Sequence, residues 1–234
     1  MMIKRRCLIY TFCSLLVCLS GIGSLSSATE LLCAGSFHGD EISANSGQSW
    51  YGMYRKQKGY ELKASKILVR TVKDLIVDTT TSTGKEVLLD VPGETLFLVR
   101  DLAGLKNGPV HSSFVGDREK FLHPGQSLSL MLGSRKYTLS VSGKVPASPT
   151  DGLAEYALVL SDGVHSQTIA SEKDCNDVRP RLIWAGDLDH DGRLDLLVDA
   201  SRHYNVSSRI LWVSRGATQR QLVRPAAKFE TSGC

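Results

Sequence analysis

The chain predicts a mainly β fold: antiparallel strands in one or two domains, with an acidic loop joining two of the strands, and not a complete β-propeller. Three observations lead there. Short runs alternate apolar and polar residues, turns centred on Gly and Pro separate them, and one Asp-rich segment, Asp187 to Asp195, stands between two apolar runs without a second copy elsewhere.

From the N-terminus, Lys4-Arg5-Arg6, an apolar stretch from Cys7 to Leu19 and the small-residue segment ending Ser26-Ser27-Ala28 have the three parts of a secretory signal. Residues 1–28 are therefore expected to be removed, and the protein to be exported to the periplasm or the cell exterior. Lipidation at Cys18 is the weaker alternative, because Val17 is bulkier than the residue wanted before a lipidated Cys. No later run approaches the ~18 apolar residues of a membrane span. Loss of Lys4, Arg5 and Arg6 brings the 28 basic residues to 25 against 24 acidic, a net charge of +1, which leaves no basic footprint for nucleic acid.

In the mature region, Lys66 to Arg70, Asp74 to Val77, Glu86 to Leu89 and Thr95 to Val99 read as strands by alternation and β-branched content. Val91-Pro92-Gly93 and His123-Pro124-Gly125 are turns that each feed a strand, Pro fixing φ and Gly taking the left-handed position. The clearest hairpin pairs Ser127 to Leu132 with Lys136 to Val141 around Gly133-Ser134-Arg135. Pro, Ser and Gly collect between Lys144 and Gly152. This is either a boundary between β-rich regions 29–145 and 153–234 or a long surface loop within one domain. Tyr156 to Leu160, Ser166 to Ala170, Arg209 to Val213 and Gln221 to Val223 complete the strands.

Asp187-Leu188-Asp189-His190-Asp191-Gly192-Arg193-Leu194-Asp195 is the most specific chemical signal. Four crowded carboxylates repel one another unless they are solvated or gathered around a cation. Calcium accepts about six to eight hard oxygen ligands, which positions 1, 3 and 5 of a tight loop can supply as carboxylates and position 7 as a backbone carbonyl. Those positions are Asp187, Asp189, Asp191 and Arg193. Gly192 meets the need for positive φ after the third ligand, and Asp195 closes the shell. An EF-hand would take a bidentate Glu at position 12, here Val198. The flanks Arg181 to Ala185 and Leu194 to Val198 are short and apolar, as in strands. The competing reading is a solvated Asp/Gly turn that binds nothing.

The segment Ala185 to Val198 resembles the calcium loop of FG-GAP repeats, found in integrin-α propellers and many bacterial extracellular proteins. The resemblance implies a strand-connecting calcium loop with Asp187, Asp189, Asp191 and Asp195 as ligands. It does not extend to an adhesion function.

No catalytic constellation stands out. His38-Gly39-Asp40-Glu41 could ligate a metal or transfer protons, yet it lacks HExxH spacing and reads better as a polar loop. No Gly-x-Ser-x-Gly elbow is present. His190 occupies a non-ligand position, where solvent is its expected neighbour. His203-Tyr204-Asn205 reads as a turn, with Asn205-Val206-Ser207 matching a glycosylation pattern that matters only in a eukaryotic secretory pathway. Trp184 and Trp212 are expected to fill the core. Of the mature cysteines, Cys175 and Cys234 bracket the acidic loop and are the expected disulfide, with a bond from Cys33 to either as the alternative. The sequence thus reads as an exported, calcium-binding, non-catalytic β-rich protein with a structural or binding role toward an unidentified protein or glycan. The alternatives are an exported hydrolase scaffolded by calcium and an adhesion module.

Overall fold

The computed structural model describes residues 28–114, 120–144, 155–173 and 180–233. Among them there are strands but no α-helix: β1 (Glu30–Leu32), β2 (Gly35–Phe37), β3 (Ser49–Arg55), β4 (Tyr60–Val72), β5 (Gly84–Leu89), β6 (Thr95–Arg100), β7 (Gly108–Phe114), β8 (Lys120–Phe121), β9 (Ser127–Leu132), β10 (Arg135–Lys144), β11 (Glu155–Ser161), β12 (Ser166–Lys173), β13 (Arg181–Asp187), β14 (Asp195–Asp199), β15 (Val206–Val213) and β16 (Arg224–Ser232).

Twelve strands make one antiparallel sheet along the path β1-β6-β3-β4-β7-β13-β14-β15-β16, with β5 on β4, β2 on β5 and β8 on β13. The two ends of the path, β1 and β16, lie beside each other, so the sheet is nearly closed, like a barrel. Phe37 meets Phe229 edge to face at 5.4 Å near this seam. The other four strands form a meander in the order β12-β11-β10-β9. The architecture is mainly β and is not a full propeller.

Two apolar clusters hold these sheets. One gathers Trp50, Met53, Leu62, Phe97, Leu98, Trp184, Leu188, Leu197 and Leu211 within the large sheet. The other joins Leu130, Leu139, Leu158 and Leu160 of the meander to Leu182, Leu196 and Val198. β14 therefore feeds both clusters from its two faces and is buried at every position. That explains its near-continuous apolar sequence in an antiparallel sheet, where one wet face would have produced alternation.

The expected hairpin forms, with β9 and β10 joined across Gly133 and Ser134 and Tyr137 opposite Leu130. Gly125 has φ of 80°, and Gln126 N–H donates to the His123 carbonyl at 3.0 Å, closing the second Pro-Gly turn. Two expected strands are not strands. Asp74 to Val77 bends into a turn because the Asp74 carboxylate accepts from Ile76 N–H (3.0 Å) and Val77 N–H (3.4 Å), turning the chain locally in place of a ladder. Gln221 to Val223 runs beside Gln167, whose Oε1 accepts from Leu222 N–H (2.8 Å) and Val223 N–H (3.1 Å) while Nε2 donates to the Val223 carbonyl (2.8 Å). One side chain thus stands in for a partner strand. Residues 145–154 lie outside the described residues; the strands on either side of them, β10 and β11, are paired from Thr138↔Ser161 to Lys144↔Glu155.

Candidate metal centre

The acidic loop joins two strands, as expected: β13 ends at Asp187 and β14 begins at Asp195, with Gly186 opposite Asp195. Leu188 enters the first apolar cluster and Leu194 the second, so each end of the loop is anchored in a different core. A Cβ on Gly186 would stand 2.5 Å from the His111 carbonyl oxygen and 2.5 Å from Cζ2 of Trp184, so the approach of β13 to β7 requires glycine. Gly192 takes the positive φ its position calls for, 77°. His190 also has positive φ, 59°, and its Nε2 is shielded without a hydrogen-bond partner among the described residues, whereas the sequence predicts solvent beside it.

The carboxylates differ in what they accept. Asp187 takes Asp191 N–H at 2.9 Å and Gly192 N–H at 3.0 Å. Asp195 takes Leu188 N–H at 2.8 Å on Oδ2 and Ser214 N–H at 2.8 Å on Oδ1. Asp191 accepts from Arg193 N–H at 2.9 Å and from the Ser214 hydroxyl at 2.8 Å. On Asp189, Oδ2 accepts from Arg215 Nε at 2.6 Å, and Oδ1 is buried with no hydrogen-bond partner among the described residues.

One ligand atom each from Asp187, Asp189 and Asp195 lies within 4.8 Å of the others, and the three residues are 8%, 2% and 0% exposed. This buried triad could hold a metal ion. Asp191 lies on the same loop outside the triad, and the expected ligand from Arg193 is a main-chain carbonyl rather than a side chain. Asp191 has a protein donor on each oxygen, as Asp187 and Asp195 also do, and the Arg193 side chain sends Nη2 to the Leu222 carbonyl at 3.4 Å.

Burial dominates the electrostatics of the cluster. Burial pushes the Asp195 carboxyl up to about 8, with Asp189 and Asp191 adding to the rise and the Ser214 and Leu188 amides opposing it. Burial also raises Asp189, where Arg215 pulls the other way and Asp191 and Asp187 push further up. An orphaned buried oxygen and a carboxyl driven toward neutrality are what a low-dielectric acidic cluster shows when protein donors alone do not balance it. Hard oxygen donors of this kind suit a hard cation.

Ser214 and Arg215, which follow β15, escape sequence reasoning because they lie far along the chain from the Asp residues they contact. Gly104 escapes it too: with φ of 92°, its Cβ position falls 2.5 Å from the Asp189 carbonyl oxygen, so the turn after β6 closes directly over the loop.

Elsewhere, His38 Nδ1 pairs with Asp74 Oδ2, and the two side chains border a cleft of about 460 Å³ that is also lined by Phe37, Glu41, Ile76 and Ser232. Asp40 lines an adjoining cleft with His38 and Asp74. His203-Tyr204-Asn205 forms a turn, closed by Val206 N–H on the His203 carbonyl at 3.1 Å. Trp184 is fully buried and Trp212 packs against the second cluster. Cys33 is buried, and its sulfur accepts from Arg209 Nη1 at 3.1 Å. The expected disulfide between Cys175 and Cys234 falls outside the described residues, as does all of the expected signal segment except Ala28. Among the described residues no helix is long and apolar enough to cross a membrane. No protein-family model, curated protein or solved structure matches the chain.

Proposed function

We propose that this is an exported, calcium-binding, non-catalytic β-rich protein in which an FG-GAP-like loop uses the ion to fasten β13 and β14 to the segment after β15. The observation that carries the reading is the buried triad of Asp187, Asp189 and Asp195, in which Asp189 Oδ1 has no hydrogen-bond partner among the described residues. Those three side chains would hold the ion, which supplies positive charge and no chemistry. The Arg193 carbonyl, and Asp191 after release from Ser214, are further oxygen donors on the loop. Calcium is preferred to magnesium because a loop of several carboxylates suits a larger and less rigid shell. Extracellular calcium modules bind at about 10⁻⁴ to 10⁻³ M, which fits a structural ion in a calcium-replete compartment and agrees with the signal-like N-terminus.

The test is thermal unfolding of the mature protein in calcium and in EDTA. Calcium at tens of times Kd is expected to raise Tm by about 3 to 10 °C, and Asp189→Ala and Asp187→Asn are each expected to remove that rise. A calcium response retained in both variants would sink the proposal.

One observation favours a second reading, an exported hydrolase scaffolded by the ion. Asp74, itself held by two backbone amides, orients His38 at the edge of a cleft, as a general base requires. Hydrolysis of an apolar ester that disappears in both His38→Gln and Asp74→Asn would support it; turnover unaffected by either substitution would remove it.

A further inference from the structure

Four carboxylates, from Asp187, Asp189, Asp191 and Asp195, meet in the acidic loop. Among the described residues a single guanidinium is hydrogen-bonded to any of them, that of Arg215, through Nε on Asp189 Oδ2 at 2.6 Å. Its Nη2 also reaches the Asp189 main-chain carbonyl at 3.2 Å, so the fork grips both ends of one residue. Arg193, on the loop itself, spends its guanidinium on the Leu222 carbonyl. The Arg215 side chain is 40% exposed, whereas the Asp189 side chain is 0% exposed. The guanidinium therefore closes the loop on its solvent side, and the Gly104 turn packs against it.

We propose that Arg215 is a resident counter-charge that sets the affinity of the cation site: it keeps the empty loop folded and detunes it toward a weak divalent ion. The inference rests on the metal reading given above. The physics has two opposed parts. Without an ion, Arg215 is the one cation bonded to the clustered carboxylates among the described residues, and its loss leaves them to repel one another. With an ion bound, the same guanidinium stands one carboxylate away from a divalent cation and repels it. Arg215 also fixes the Asp189 carboxylate through Oδ2, holding it in the triad with Asp187 and Asp195, which favours binding. The Coulomb repulsion between a double and a single charge in a half-buried site exceeds the orienting value of one hydrogen bond, so repulsion decides the sign. The hold on Asp189 makes Arg215 a positioning residue as well as a charge, and a Lys in its place would keep the charge without the planar fork.

The experiment is calorimetric titration of the mature protein with calcium chloride, together with Tm in EDTA, for the wild type, Arg215→Gln and Arg215→Lys. The expected result has opposite signs. Arg215→Gln lowers Tm in EDTA yet binds calcium about tenfold more tightly or better, while Arg215→Lys keeps calcium affinity within about threefold of the wild type. A merely structural arginine would lose stability and affinity together, and that result overturns the proposal, as does an unchanged affinity in Arg215→Gln. If the wild type takes no calcium in the calorimeter and its Tm ignores EDTA, the metal reading itself fails and this inference falls with it. A wild type that binds while Arg215→Gln does not bind more tightly defeats the inference alone.

Discussion

The two ends of β14 carry the same residue in opposite electrostatic states. Asp195 and Asp199 share one face of the strand by alternation, and both are almost completely buried, at 0% and 1% exposure. Burial pushes both carboxyls up. At Asp199 the Ser201 hydroxyl and the Arg181 guanidinium outweigh it and hold the group below the usual carboxylate range, with the Ser208 amide helping. At Asp195 the Ser214 and Leu188 amides do not outweigh it, Asp189 and Asp191 make matters worse, and the group rises to about 8. Burial alone therefore does not mark a site. Both ends have hydroxyl donors; the difference is that the Arg181 guanidinium bonds Asp199, whereas among the described residues no cation bonds Asp195.

The most damaging substitution removes the guanidinium bonded to Asp199. Arg181→Leu strands Asp199 and is expected to cost about 3 kcal/mol, toward the low end for a buried charge losing its partner because Ser201 and Ser208 still donate. The loss should be the same in calcium and in EDTA by denaturant unfolding. A loss confined to the EDTA state would mean that the two ends are coupled.

Leu188→Ala follows, at about 2 to 4 kcal/mol, since this buried side chain ties the acidic loop to the first cluster. It differs from Arg181→Leu in also weakening calcium binding, because it loosens the loop that brings Asp187 and Asp189 together. Titration calorimetry would show the difference, and unchanged affinity would mean that the strand ends alone hold the carboxylates in place.

Acid and base separate the two ends more gently. Asp199 has a depressed folded value, so its contribution is present above the unfolded value near 4 and is lost as pH falls below it. Asp195 is raised, so without an ion it costs stability progressively as pH climbs from about 4 to about 8. In EDTA, Asp195→Asn should therefore flatten the decline of Tm between pH 6 and 8 and leave the acid limb untouched. The rise produced by calcium in the wild type should grow across the same interval, as ion binding comes to displace fewer protons. A calcium effect of constant size from pH 6 to 8 would contradict the raised value.

Only part of this contrast was legible in the sequence. The loop and both of its strands could be read because Asp spacing, Gly192 and two apolar runs are local signals. The central strand β3 could not. Trp50, Gly52, Met53 and Tyr54 are all buried, which erases the alternation that identifies a half-wet strand, and Gly52 counts against sheet on propensity. Leu75-Ile76-Val77 misled for the opposite reason: composition favours a strand, but the neighbouring Asp74 captures the amides that a ladder would need. Asp199 gave no sign of its burial, and Arg215 none of its partner, because both depend on pairings across the sheet. The short apolar run ending in Ser214-Arg215 after Trp212-Val213 was the one available hint, a cation placed at a strand end.

The smallest expected effect concerns a third acidic turn, which extends the comparison to a place where the protein supplies every donor. Asp78 accepts from Asp74 N–H and Thr83 N–H, each at 2.7 Å, and from the Thr83 hydroxyl at 2.6 Å, which together hold it down to about 2. Asp74 is likewise lowered, chiefly by its bond to His38, and His38 is raised above 6.5 in return. A raised histidine contributes stability that is complete below about 6.5 and fades as pH rises through its folded value. This turn should therefore ignore calcium and weaken slightly on the alkaline side. Proton NMR titration should place His38 above the ordinary histidine value with or without EDTA, and Asp74→Asn should bring it back down. A His38 titration that moved when calcium was added would show that this turn, despite its full set of donors, is linked to the acidic loop.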